Sequence, residues 1–221
     1  MEALSSLPAL NHPNPVLSRV AEATRSALLE AGQVVTFDAG ATLFADGAPS
    51  GVIIFPLQGQ LQIGKATERG RRQIICNPTA HSCGGLCMLM FGGSALADTR
   101  GLEAGQALIV PREQFEALIH ADPVLCRAAW ESAASCMAHL SNLIAQLSFD
   151  KVGERVLKAL YHGTEKNGDT VRMTQTDLAA EVGTTREVVA RCLAGFQEEG
   201  LVRLGRARIV VLDRERIAQA V

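Results

Sequence analysis

Residues 173–202, MTQTDLAAEVGTTREVVARCLAGFQEEGLV, decide the fold. Thr174 stands where a helix N-cap belongs, and Asp177 follows three residues later, the spacing of a capping box. Gly183 breaks the chain after Val182, and Thr184 or Thr185 then caps a second helix. Leu178, Val182, Val189, Leu193 and Phe196 form a small shared core. Two short helices around a glycine turn predict a helix-turn-helix. The following LVRLGRARIVVLD, residues 201–213, places two strand-like runs around Gly205 and reads as a hairpin wing.

Such a unit aims the first turns of its second helix into the DNA major groove. Arg186, Glu187, Ala190 and Arg191 occupy those turns. Arginine pairs with guanine O6 and N7, and glutamate accepts from cytosine N4. Gln175, Thr176, Thr184 and Thr185 fall where backbone phosphates pass. A blander account makes Glu187 the capping-box partner of Thr184 and leaves the arginines to solvent. It does not explain two arginines on one exposed face.

Upstream, ADPVLCRAAWESAASCMAHLSNLIAQLSFD predicts one long helix, with Asp122 as cap and Pro123 in its first turn. Leu125, Ala129, Ala133, Cys136, Leu140, Leu143 and Leu147 recur at threes and fours, a narrow apolar seam suited to a partner helix. Further upstream the period changes. Residues 14–31 read as one or two short amphipathic helices. From Gln33 to about Glu116, β-rich runs (QVVTF, GVIIFPL, GQLQIGKA, RRQIICN, GQALIVP) alternate with glycines, among them Gly40, Gly47, Gly59 and Gly70. Short strands with turn signals imply an antiparallel sandwich or barrel.

Barrel, long helix and winged helix-turn-helix together resemble the CRP/FNR family of bacterial transcription regulators over nearly the whole chain. The resemblance implies an α+β fold: an N-terminal antiparallel β-roll of the cyclic-nucleotide-binding, jelly-roll type (1–120), a long dimerisation helix (121–150) and a C-terminal winged helix-turn-helix (151–221). TTREVVARCL matches the family's recognition-helix pattern, with Arg186, Glu187 and Arg191 at the base-reading positions of its cyclic-AMP branch. The FNR branch usually has Ser where this chain has Ala190 and lacks Arg at 186, which favours a GTGA-like half-site. The implied partners are palindromic double-stranded DNA, a second copy of the chain, and RNA polymerase if the protein activates.

The same resemblance puts HSCGGLCMLM, residues 81–90, on the turn that cradles the cyclic nucleotide. Cyclic-AMP binders carry Gly-Glu where this chain has Gly84-Gly85, and Arg-Ser where it has Ala95-Leu96. Both polar anchors are missing, and a buried phosphate without its cation is strongly disfavoured. Arg100, five residues on in an alternating strand, projects to the face opposite Ala95. No cyclic nucleotide is expected.

Thiols stand there instead. Cys83 and Cys87 are one helical turn apart, and Cys76 ends the preceding strand. A helix N-terminus near Cys83 raises its thiolate character. The expected sensor is Cys83 and Cys87 with Cys76, answering to oxidation, sulfane sulfur, a soft metal ion or an iron–sulfur cluster. The spacing is neither a standard zinc pattern nor the N-terminal cluster-binding set of the FNR branch. His81 beside Cys83 offers a haem alternative, like the Cys and His of the family's carbon-monoxide sensor, although aromatic residues for a haem pocket are few. Cys126, Cys136 and Cys192 read as packing residues, and a constitutive DNA-binding protein with structural cysteines is the remaining alternative.

The bulk properties agree with this reading. Residues 1–150 hold nine Lys and Arg against thirteen Asp and Glu, and residues 151–221 hold twelve against ten, so positive charge gathers at the DNA-reading end. No run approaches the roughly 18 apolar residues of a membrane span, and the first residues do not form a secretory signal. A cytoplasmic location is expected, where the six cysteines have no need of disulfides. Catalysis is not expected. A cupin-like barrel needs several His and a Glu, and this barrel stretch offers His81 alone, with no nucleophile–base pair.

Overall fold

The computed structural model describes residues 14–68, 70–79 and 93–220. His81, Cys83, Gly84, Gly85 and Cys87 lie outside them. The chain divides into two compact units, residues 1–65 with 76–140, and residues 66–75 with 141–221.

Two short helices, α1 (Pro15–Arg19) and α2 (Glu22–Ala31), open the first unit. Asn14 starts α1 and is fully buried. Its Oδ1 accepts from the N–H groups of Val16 and Leu17, and its Nδ2 donates to the Pro56 carbonyl at 3.0 Å. The strands are β1 (Gln33–Phe37), β2 (Thr42–Phe44), β3 (Val52–Ala66), β4 (Arg72–Cys76) and β5 (Asp98–Pro111). They form an antiparallel sheet in the order β1-β5-β3-β4, with β2 also paired to β5.

The sequence suggested two strands on either side of Gly59. They are one strand, β3, whose register against β5 shifts between Pro56 and Leu61. Gly59 sits at φ +70°, so it bends a continuous strand through an irregularity instead of ending it. On β5, a Cβ at Gly105 would overlap the Gln58 carbonyl, so only glycine allows this close approach. Strand β5 also starts earlier than expected, and α3 (Arg112–Ala121) follows it directly where the β-rich reading ran on to about Glu116. Ile53, Phe55, Leu57, Leu108 and Val110 pack with the helical residues Leu17, Leu28, Phe115, Leu125 and Ala129 into one core. The Phe55 and Phe115 rings meet edge to face at 6.0 Å.

Helix α4 (Pro123–Phe149) has 27 residues. Asp122 caps it: Oδ1 accepts from the N–H groups of Val124 and Leu125, and Oδ2 accepts from the Thr24 hydroxyl at 2.6 Å. Of the apolar seam read from sequence, Leu125 and Ala129 are buried in the core just described, Ala133, Cys136, Leu140 and Leu143 are half-buried, and Leu147 is exposed. The open face carries Trp130, Met137 and Ile144, seven residues apart and 73%, 71% and 65% exposed. Periodicity marks a packed stripe but does not say who packs it, and here its first two residues pack in the chain's own core.

The second unit holds α5 (Val152–Asn167), β6 (Thr170–Val171), α6 (Gln175–Val182), α7 (Arg186–Glu198), β7 (Val202–Gly205), β8 (Arg208–Val211) and α8 (Arg214–Ala218). A three-stranded sheet in the order β6-β8-β7 completes the winged unit. Strand β6 and helix α8 are too short to show a period in sequence. The core unites Leu178, Val182, Val189 and Leu193 with Val156, Leu160, Ile209 and Val211, and Phe196 packs at its edge. No described helix is long and apolar enough to cross a membrane.

The Asp122 cap gives a pH-dependent prediction. The Thr24 hydrogen bond, aided by the backbone N–H groups of Val124 and Leu125, holds its carboxyl below the ordinary 3.8 against the opposing effect of desolvation. A depressed folded-state pKa stabilises above the unfolded value, and that contribution is lost as pH falls through the folded value. Asp122→Ala should cost about 0.5–2 kcal/mol at neutral pH. In denaturant titrations the gap to wild type should close progressively below pH 3.8.

Candidate DNA interface

Local chemistry makes the helix-turn-helix. Thr174 Oγ1 accepts from the Asp177 N–H at 3.1 Å, and Asp177 Oδ2 accepts from the Thr174 N–H at 3.2 Å, so the predicted capping box is present. Helix α6 ends at Gly183, φ +73°, in the left-handed region. The Thr184 N–H closes the turn on the Ala179 carbonyl at 2.9 Å. Thr185, not Thr184, is the N-cap of α7, and its side chain makes no capping bond.

The first turns of α7 present Arg186, Glu187 and Arg191 to solvent, with Ala190 half-buried between them. Val189 and Leu193 face the core on the other side, fully buried. The three predicted base-reading residues therefore share one open face. The backbone N–H of Glu187, then the Thr185 hydroxyl, then the Arg186 charge keep the Glu187 carboxyl below the usual range, so it is an acceptor at neutral pH. Its partner is Thr185 where a box with Thr184 was the sequence alternative.

Beside this face lies a cleft of about 320 Å³. Thr174, Gln175 and Thr176 line it from the start of α6, Arg186 from α7, and Ala207 and Arg208 from the wing. A helix N-terminus attracts negative charge, and two guanidinium groups at the same opening reinforce it. The arrangement suits a backbone phosphate. Of the four residues expected at phosphates, Gln175 and Thr176 line this cleft, and Thr184 and Thr185 do not.

Arg208 was missed. The signal was there, three arginines within LVRLGRAR, but only the hairpin register selects one of them. Gly205 pairs with Arg208, so Arg206 and Ala207 form the tip and Arg208 begins the returning strand. Ala207 holds φ +51°, a conformation that costs a non-glycine residue about 1–2 kcal/mol.

Of the sensor residues, Cys76 is described, half-buried at the end of β4. Cys126, Cys136 and Cys192 are likewise half-buried, and Cys192 packs on the core of the winged unit. Among the described residues no three His, Cys, Asp or Glu cluster as metal ligands. Ala95 is 2% exposed and Leu96 is 55% exposed. Ala95, Ala97 and Thr99 are buried while Leu96 is exposed and Asp98 and Arg100 are half-buried, so Ala95 and Arg100 differ in burial. Arg100 is paired with Asp98 at 3.1 Å.

Residues 154–220 match the Crp-like helix-turn-helix domain, and residues 34–122 match the cyclic nucleotide-binding domain. The chain is 27% identical over 202 residues to the CRP-like cAMP-activated global transcriptional regulator of Mycobacterium tuberculosis, covering 88% of this chain and 90% of that one. It is 22% identical over 188 residues to the global nitrogen regulator of a Nostoc species, covering 80% and 84%. In fold it is similar to a transcriptional regulator of the crp/fnr family from Eubacterium rectale, with TM-score 0.78 and 20% identity over 95% of this chain and 99% of that one.

The interface separates two kinds of arginine. Arg208→Ala should weaken binding to specific and random duplex equally and reduce the salt slope by about one. Arg191→Ala should cost about 1–3 kcal/mol on a selected site and relax preference at one base pair. Anisotropy titrations at several salt concentrations distinguish the two.

Proposed function

The chain belongs to the CRP/FNR family of transcription regulators, and on that premise we propose a homodimer that reads a two-fold symmetric DNA site under thiol control. The carrying observation is the shared open face of Arg186, Glu187 and Arg191 beside a cleft with the charge and shape for a phosphate. The protein is a DNA-binding regulator, and it acts without catalysis, in the cytoplasm. Two copies meet along α4. Its open stripe of Trp130, Met137 and Ile144 supplies aromatic and aliphatic area at a seven-residue spacing, suited to a second copy of the same helix. A two-fold dimer carries two α7 helices to half-sites one helical turn apart. RNA polymerase is the further partner if the protein activates.

The signal is a thiol signal, not a cyclic nucleotide. The resemblance implies a nucleotide whose phosphate rests on a cation at position 95. Ala95 is buried and uncharged, and Arg100 is committed to Asp98. The residues present do not fit that ligand. Cys76 is a described thiol of the sensor set, and Cys83 and Cys87 join it by sequence alone. A bond, a bridging sulfur, an iron–sulfur cluster or a soft metal at these thiols would bias the dimer between two geometries. Haem through His81 and Cys83 is the second reading, favoured by the pairing of those residue types alone.

The test compares DNA affinity of reduced, oxidised, persulfide-treated and metal-loaded protein for wild type, Cys76→Ser, Cys83→Ser, Cys87→Ser and Cys136→Ser. The response should vanish in Cys83→Ser and Cys87→Ser and survive in Cys136→Ser. Unchanged responses in the first two defeat the thiol reading. Cyclic AMP at one hundred times a genuine dissociation constant would stabilise by roughly 2.7 kcal/mol. No thermal shift is expected.

A further inference from the structure

Helix α6 ends in three consecutive carbonyls, and each accepts from a side chain of another element. Gln73 Nε2 donates to the Glu181 carbonyl at 3.3 Å. Arg155 Nε donates to the Val182 carbonyl at 2.8 Å. Arg71 Nη2 donates to the Gly183 carbonyl at 3.2 Å. Arg155 comes from the first turn of α5, and its Nη1 also donates to the Asp150 carbonyl at 2.8 Å, just past the end of α4. Arg71 directly precedes β4 and Gln73 is its second residue, and both belong to the second unit.

The chemistry is suited to the place. The last carbonyls of a helix lack intrahelical partners, and that end carries the negative pole of the helix. Two guanidinium groups and an amide supply what is missing. Such charge-assisted bonds are worth more than neutral ones. The packing agrees: a Cβ at Gly183 would overlap Gln73 Oε1 and lie 2.6 Å from Leu147 Cδ2. Arg186, Glu187 and Arg191 remain exposed while these bonds are made, so the contact leaves the reading face open. It holds the corner from behind and does not block DNA.

We propose that Arg71, Gln73 and Arg155 form a clasp that sets the position of the helix-turn-helix corner, with Arg71 and Gln73 as positioning residues for DNA recognition. The proposal rests on the DNA-reading role of α6 and α7. Helix α7 begins three residues after Gly183, so freedom at the corner becomes freedom of the reading helix. Base contacts require geometry held within about 0.5 Å. Phosphate contacts tolerate more, so loss of the clasp should cost specificity before it costs affinity for DNA in general.

The experiment uses the full chain and Arg71→Ala, Gln73→Ala, the double variant and Arg71→Lys. The first readout is amide hydrogen exchange across residues 178–193. In the double variant, exchange there should rise about tenfold or more, as expected for losing two side-chain bonds, with the α5 and wing amides unchanged. The second readout is affinity for the duplex that wild type selects from a random pool, and for a scrambled duplex. The selected duplex should bind roughly tenfold more weakly while the scrambled one stays within about twofold. Arg71→Lys, which keeps charge and one donor, should recover most of the loss. Wild-type exchange together with wild-type affinity overturns the clasp. Equal loss on both duplexes with a lowered melting temperature makes the contact merely structural, and tighter binding makes it a block; both overturn the proposal. If wild type selects no sequence, the DNA-reading role fails, and the exchange readout still decides the clasp.

Discussion

The left-handed corner at Gly183 is the constraint on which the DNA-reading half depends. Its positive φ ends α6 and lets α7 leave at the angle that exposes Arg186, Glu187 and Arg191. Conformational freedom is only half of the requirement. Gln73 and Leu147 fill the space a side chain would need, so glycine is demanded by crowding as well as by backbone. Behind the corner three side chains satisfy three carbonyls, and in front of it Arg186, Glu187 and Arg191 stay open to solvent.

The parts legible in sequence are those made by neighbours. The Thr174–Asp177 capping box, the Gly183 turn and the Asp122 cap each need only residues within four positions, and all three form as expected. The open face of α7 was legible for the same reason, since one helical period assigns Val189 and Leu193 to the core and Arg191 to solvent.

What the sequence hid depends on distant partners. The apolar pattern of α4 is unchanged whether its own core or another chain covers it, so spacing alone does not separate the buried Leu125 and Ala129 from the exposed Trp130 and Met137. Gly59 looked like a turn because nothing local reveals that Gln58 and Gln60 both pair across to β5. Arg208 was one of three nearby arginines until the hairpin register put it on the cleft. The clasp joins Gln73 to Glu181 across 108 residues and Arg71 to Gly183 across 112, beyond any pattern of spacing. The sensor is the opposite case. Its reading rests on residue types at 76, 83 and 87 and on the cation missing at 95.

On the proposed reading, two copies of the chain place two α7 helices in the major groove on one side of the duplex. Hydroxyl-radical footprinting of the full-length protein on the duplex it selects from a random pool tests this most directly. The account predicts two protected patches on one face of the DNA, related by a two-fold axis, with centres about 34 Å apart. A single patch, or protection spread evenly along the duplex, would contradict it.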